Sequence, residues 1–369
     1  MKFTLSTKPL VTAANLVIIN SNVTKFYHKS IMVELTATQN KLLLNTEATS
    51  IVSEVKLSGV GTSAEEARIF VDALTFKQLL STIKTAQVEL EFTDNALIIN
   101  CGKSSFSLPK LADAKDGSFT APVELSEDVI ASANSVDLSK WKFIKDHQMY
   151  AKAESYTAPV YTYVWAGKSG DALVGDYNNS IFTHSKSSQM ESDCLLSETI
   201  INLVTSLPEN TKIVKSDDTY VLYISADSYE YRSQITPVFE SEDNGNYNAQ
   251  IIMSIMEMST ETVKIDGSEI ITAINQSALL TVDKNPKIDF TMDSEGLHLK
   301  DKRVNVLIPV EGTITTKYSL SFKPNMLKSI ISNSPDTQLE LCPRIADDEV
   351  VGIIVHAKDY TAVLAASEE

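Results

Sequence analysis

Two short stretches, Gly102-Lys103-Ser104 and Gly167-Lys168-Ser169, end the way a phosphate-cradling P-loop ends. Such a loop wraps phosphate in backbone N–H groups and needs a further glycine five residues before its second one. Leu97 and Thr162 hold those positions, so neither stretch forms the cradle. Glu240-Ser241-Glu242-Asp243-Asn244-Gly245 starts like a calcium loop, but Ile251 stands where the closing bidentate Glu belongs, and a polar turn is the better reading. Asp217-Asp218 and Asp347-Asp348-Glu349 could offer carboxylates to a metal, yet each lies between strand signals, where Asp is a turn residue. His28, His147, His184, His298 and His356 are dispersed without a ligand spacing. No Gly-x-Ser-x-Gly elbow occurs, and no signature surrounds Cys101, Cys194 or Cys342. The residues therefore predict no catalytic group, no metal and no cofactor. An enzyme with a dispersed site stays as an alternative without positive support.

Lysine placement carries more information. The net charge is −16, from 32 basic and 48 acidic residues, which by itself disfavours a sequence-reading nucleic-acid binder. The helical segments 7–21, 73–85 and 322–333 nevertheless hold Lys8, Lys77, Lys84, Lys323 and Lys328 and no carboxylate. Lys77 and Lys84, seven apart, share a helix face roughly opposite Leu79, Leu80 and Ile83. Lys140-Trp141-Lys142-Phe143-Ile144-Lys145 interleaves bases with apolar residues, and Lys25, His28 and Lys29 form a basic loop. Singly these are ordinary solvated lysines. Together they suit helix faces that meet a polyanion through phosphate contacts, without reading bases.

The elements that must position these lysines repeat. Phe76–Ile83, Ile200–Leu207 and Leu327–Ile331 are amphipathic helices, each followed by alternating strands such as Val88–Phe92, Lys212–Val214 and Gln338–Leu341. With Leu80, Leu203 and Ile330 as equivalent core positions, the offsets are 123 and 127 residues, against 123 for a third of the chain. Each third also opens on a strand and a second helix: 7–21 with Leu10, Ala13, Ala14 and Val17 inward, Ser126–Val136 with Val129, Ala133 and Val136 inward, and Ser268–Leu280 with Ile271, Ile274 and Ala278 inward. Six strand–helix–strands modules result, a repeat within a repeat. Strands are expected at Val33–Ala37, Lys41–Leu44, Leu222–Ile224 and Ile353–Val355, with a hairpin at Thr291–Leu299. Ala112–Gly117 and Glu240–Asn248 read as linkers, and Tyr150–Trp165 as strand-like without a clean period. The fold class is α+β, with domains at 1–117, 118–250 and 251–369, each two helices on antiparallel sheets. No apolar run approaches the ~18 residues of a membrane span. The N-terminus lacks a signal-peptide pattern, and three separated cysteines suit a reducing cytoplasm.

At this point the chain resembles the bacterial-type DNA sliding clamp, the beta subunit of the replicative polymerase. Met1-Lys2-Phe3-Thr4 is similar to that family's opening strand. Gly102-Lys103-Ser104-Ser105-Phe106-Ser107-Leu108, followed by Leu111-Ala112, resembles the end of its first domain, and His147-Gln148 and Gly175-Asp176 before Ile181 resemble its second. The resemblance implies three clamp domains forming half of a closed ring, a head-to-tail homodimer around duplex DNA. It implies a non-catalytic processivity factor whose partners are DNA of any sequence, a DNA polymerase and a clamp loader, with no membrane. DNA contacts would come from Lys8, Lys25, Lys29, Lys77, Lys84, Lys140, Lys142, Lys145, Gln148, Lys323 and Lys328. A partner-peptide pocket would involve Gly175, Asp176, Ile181, Val238, Phe239, Met326, Val363 and Leu364. Phe106 and Leu108 of one copy would pack near Leu279 and Leu280 of the next, although all four could equally be intradomain core. The family's Thr-Asp-Gly-His turn is Gly175-Asp176-Tyr177-Asn178 here, and its Met/Pro-rich tail is Val363-Leu364-Ala365-Ala366-Ser367-Glu368-Glu369. Such divergence suits a phage-encoded clamp acting in the host cytoplasm. A repetitive β-rich structural or virion protein, and a clamp that closes as a trimer, are the other readings left open.

Overall fold

A computed structural model describes residues 2–18, 30–36, 41–48, 50–58, 66–111, 121–151, 159–176, 181–240, 246–257, 261–280, 286–314, 317–332 and 337–367. Its helices are α1 (Thr7–Val17), α2 (Ala73–Thr82), α3 (Glu127–Ser132), α4 (Leu138–His147), α5 (Glu198–Ser206), α6 (Ala249–Glu257), α7 (Gly267–Leu280) and α8 (Pro324–Ser332). Six of these follow a strand and lead into a meander of three antiparallel strands. After α1 come Ser30–Thr36, Lys41–Ala48 and Ile51–Leu57; after α2, Gln87–Phe92, Ala96–Cys101 and Ser104–Pro109. After α4 come Val164–Ala166, Ala172–Asp176 and Ile181–Ser185; after α5, Lys212–Ser216, Thr219–Ala226 and Tyr229–Ile235. After α7 come Ile288–Asp293, Gly296–Lys300 and Asn305–Ile308; after α8, Gln338–Ala346, Glu349–His356 and Thr361–Ala365.

The strand that leads into each helix joins the meander of the other helix in the same third. Lys2–Ser6 pairs with Gln87–Phe92 and Ala67–Asp72 with Ser30–Thr36; Asn134–Ser135 pairs with Lys212–Ser216 and Cys194–Leu196 with Val164–Ala166; Val263–Asp266 pairs with Gln338–Ala346 and Tyr318–Phe322 with Ile288–Asp293. The two halves of each third are thereby laced together. The chain forms two compact units, Met1–Leu138 with Asn202–Pro237, and Ser139–Ile201 with Val238–Glu369. Each holds one eight-stranded and one four-stranded antiparallel sheet.

Local chemistry explains the helices. Leu10, Ala13, Ala14 and Val17 give α1 a buried stripe at i, i+3, i+4 and i+7. Asp72 caps α2, its Oδ1 accepting the Thr75 N–H at 2.7 Å. The proposed equivalents Leu80, Leu203 and Ile330 are all buried. The Asp pairs are hairpin turns, as their position between strands suggested. Asp217, Asp347 and Asp348 hold φ of 51°, 51° and 63°, in the left-handed region that Asp tolerates better than most residues.

Several expected boundaries move. The helix expected at Ser126–Val136 breaks after α3, because Asn134 and Ser135 leave it to pair with Ile213 and Lys212. None of α3 is buried, and the buried face belongs instead to Trp141, Ile144 and His147 of α4. On α7 the inward stripe is Ile270, Ala273, Ile274 and Ser277, so Ile271 is only half-buried and Ala278 is exposed. Helix α2 stops at Thr82 and α8 starts at Pro324, so Lys84 and Lys323 flank these helices rather than ride on them. In Tyr150–Trp165 the described residues form short 3-10 turns at Gln148–Tyr150 and Pro159–Thr162, and a strand only from Val164. The linker read at Glu240–Asn248 runs into α6, whose Ala249, Ile252 and Met256 are buried; the boundary placed at residue 250 falls inside this helix. Ala112–Gly117 lies outside the described residues. No helix among the described residues is long and apolar enough to cross a membrane.

Candidate nucleic-acid and partner surfaces

The candidate lysines occupy three settings. Lys8 on α1, Lys142 and Lys145 on α4, and the flanking Lys84 and Lys323 are exposed, while Lys140 and Gln148 are half-buried. Lys77 is also half-buried: its Nζ donates to the Ile18 carbonyl at 2.7 Å, beyond the last residue of α1, and burial lowers its pKa. An ammonium at a helix C-terminus satisfies an orphan carbonyl and opposes the negative end of the helix dipole. Lys77 thus ties α2 to α1. Lys328 on α8 donates to Asn275 Oδ1 on α7 at 2.7 Å. Lys25 and Lys29 lie outside the described residues. Helices α1, α2 and α8 carry lysine and no carboxylate, and α4 carries three lysines against Asp146.

The eight partner-pocket candidates separate. Gly175, Ile181, Val363 and Leu364 come together on three consecutive strands, Ile181 opposite Leu364 and Gly175 opposite Phe182, which in turn faces Val363. Gly175 has φ +139°, and a Cβ there would stand 2.0 Å from the Ile181 carbonyl oxygen, so only glycine fits. Ile181, Val363 and Leu364 are buried, and successive residues point to opposite faces, so Ile181 and Leu364 share one face and Val363 takes the other. Asp176 ends its strand. Val238 bridges to Leu195 at the far edge of the sheet and packs on the same apolar cluster as Val363. Met326, half-buried, lies on α8. Phe239 lines an open cavity of about 610 Å³ with Trp165, Lys168, Asp193, Glu240 and α6 residues Ile251 and Met253. Sequence reading missed this cavity because α6 was hidden behind the polar run before it, although Ala249, Ile252 and Met256 already had helical spacing.

The four interface candidates differ in exposure. Phe106 is half-buried and Leu108 is 5% exposed, on an edge strand. Leu279 is 86% and Leu280 47% exposed at the end of α7, and Leu307 on the edge strand Asn305–Ile308 is 49% exposed. Arg303 caps the Leu280 carbonyl.

Two polar clusters went unseen because their members converge only through strand pairing. Asp171 accepts hydrogen bonds from Lys186 Nζ at 2.5 Å, Ser169 Oγ at 2.5 Å and His184 Nε2 at 2.7 Å. Burial would raise its carboxyl, but these partners outweigh burial and hold it at about 2. Asp293, Glu295 and His298 gather on the hairpin around Gly296, where Lys317 Nζ approaches Asp293 Oδ2 to 3.3 Å and supplies a cation.

No family model matches the chain, and no curated protein matches it. Solved structures do. The beta sliding clamp of Caulobacter crescentus superposes with a TM-score of 0.75 at 16% identity, covering 100% of both chains. A putative DNA polymerase III beta subunit from Eubacterium rectale gives 0.77 at 14% identity, again over 100% of both. The Helicobacter pylori beta clamp, solved with a DNA ligase peptide, gives 0.70 at 15%, over 100% of both. The chain has the fold of the bacterial sliding clamps over its whole length.

Proposed function

We propose that the protein is a DNA sliding clamp, a non-catalytic processivity factor that encircles duplex DNA as a head-to-tail homodimer and tethers a DNA polymerase. The observation that carries this reading is a strand joint that recurs along the chain. In one unit the last strand of the α1 meander, Ile51–Leu57, pairs with the last strand of the α5 meander, Tyr229–Ile235. In the other, the last strand of the α4 meander, Ile181–Ser185, pairs with the last strand of the α8 meander, Thr361–Ala365. Both joints link the first module of one third to the second module of the next. Applied once more, the rule sends Asn305–Ile308 to the Ser104–Pro109 strand of another copy, and both are edges of their sheets. An open edge is a template for pairing, and a head-to-tail contact closes where the rotation permits. Phe106 and Leu108 on one edge, and Leu279 and Leu280 beside the other, are the proposed contacts.

A ring linked topologically to DNA needs little affinity, so lysines touching phosphate suffice, and tethering raises the polymerase's effective concentration at the primer end. A clamp loader would open the ring. Partner peptides would dock on the strands of Gly175, Asp176, Ile181, Val363 and Leu364, with Val238, Phe239 and Met326 as the further proposed contacts; the H. pylori clamp was solved with a DNA ligase peptide bound. The work would be done in the cytoplasm, a host's if the chain is phage-encoded. Loaded on nicked circular DNA, the protein is expected to stay with the circle through gel filtration and to leave once the circle is cut. Equal retention on both would sink the topological claim.

A further inference from the structure

The eight-stranded sheet of the second unit has an unfinished edge. Cys194–Leu196 is its outermost strand, and beyond it Val238 bridges to Leu195, exchanging hydrogen bonds of 2.7 and 3.0 Å. Continued in that register, the pairing would set Cys194 against Phe239 and Asp193 against Glu240. Like charges directly opposite each other disfavour a ladder, and the bridge stays isolated. The two segments part where the carboxylates would meet, and the cavity of about 610 Å³ opens there with both in its wall.

The cavity is built from fixed groups. Asp193 Oδ1 accepts the Lys168 N–H at 2.8 Å, and Glu240 Oε1 accepts the Tyr247 N–H at 3.1 Å. Backbone amides thus orient both carboxylates without neutralising them. Lys168 also lines the wall, so the three charged residues leave a net single negative charge. The apolar side consists of Trp165, Phe239, Met253 and Ile251. A Cβ on Gly167 would lie 2.4 Å from the Trp165 ring, so the hairpin backbone rests directly on the indole. Ile251 is 57% exposed, whereas Ala249, Ile252 and Met256 of the same helix are buried in the core.

We propose that this cavity docks a basic–apolar peptide segment of a partner protein. Its Lys or Arg cation would sit between Asp193 and Glu240, with the adjoining aliphatic side chain against Trp165, Phe239 and Ile251. The cation would pair with the cavity's net negative charge, while the apolar contact removes Ile251 from water. The site lies at the sheet's outer edge; it takes Phe239 from the partner-peptide contacts proposed above but none of Gly175, Ile181, Val363 and Leu364, and its test does not depend on the clamp reading.

Fluorescein-labelled Ile-Lys-Leu-Arg and Ile-Glu-Leu-Glu peptides, titrated against the full chain by anisotropy at low salt, test the proposal. The basic peptide is expected to bind saturably and the acidic one not. Asp193→Asn and Glu240→Gln keep the oxygens that accept the amides, and melting curves check that both fold. Each should weaken the basic peptide roughly two- to fivefold, the scale of one exposed ion pair. Ile251→Ser should weaken it as well. Equal binding of the two peptides, no saturable binding at millimolar peptide, or an affinity unchanged in the Asp193→Asn/Glu240→Gln double variant would overturn the proposal.

Discussion

His147 is the residue whose chemistry most depends on its surroundings. Its ring stacks on Phe143 at 3.9 Å between centroids, with Tyr360 at 5.2 Å and Tyr150 at 5.9 Å. Nδ1 donates to the Phe143 carbonyl at 2.9 Å, while Nε2 is buried without a hydrogen-bond partner. Burial lowers its pKa to about 4. The fold therefore holds the neutral ring, and the unfolded chain takes up the proton first as pH falls. Stability from this residue is complete above about 6.5 and drains between there and about 4, by up to about 3 kcal/mol. His147→Phe should remove that part of the acid sensitivity. Urea midpoints of the two proteins at pH 7 and pH 4.5 are expected to show the gap between them shift in favour of the variant at the lower pH. At Gly175, alanine would meet the Ile181 carbonyl at 2.0 Å on a backbone with φ +139°. Gly175→Ala should cost on the order of 3 kcal/mol or more, read from the same urea curves.

At the scale of elements, apolar periodicity identified the helices whose stripes are long. It failed where a neighbouring strand or turn chemistry intervened. The segment Ser126–Val136 has helical spacing, but strand pairing by Asn134 and Ser135 takes its end away. Helix α6 was lost because an Asn- and Gly-containing run suggested only a linker. Its two adjacent isoleucines make a sharp contrast: Ile252 is 1% and Ile251 57% exposed. Ile252→Ala should destabilise by about 2–4 kcal/mol, while Ile251→Ala should fall within about 0.5 kcal/mol of the parent in thermal or urea melts. Similar losses at both positions would mean that α6 is not seated as described.

For the whole molecule, the recurring joint is the feature on which the proposed dimer rests. Among the described residues, Ser104–Pro109 and Asn305–Ile308 are sheet edges and the two strands that the rule leaves without partners. Leu307, half-exposed on one of them, can accept a charge without disturbing the protomer's core. Sedimentation should give twice the 40.5 kDa chain mass for the parent and the chain mass for Leu307→Lys. A trimeric mass, or a dimer untouched by the charge, would remove strand pairing at this edge as the closing contact.

The sequence alone determined the triplication, the α+β class, the inward-facing Leu80, Leu203 and Ile330, and the turn role of the Asp pairs. Each is written in local spacing, which a helix or hairpin reads within a few residues. Tertiary structure decided that leading strands are exchanged between the halves of each third, that Lys77 caps α1, and that among the pocket candidates Ile181 and Leu364 share one face of a sheet while Val363 takes the other. It also gathered Asp171 with His184 and Lys186, and set Asp193 and Glu240 in one cavity wall. These outcomes depend on the register between distant strands. A shift of one residue there reverses every side chain, and no local pattern in the chain encodes it.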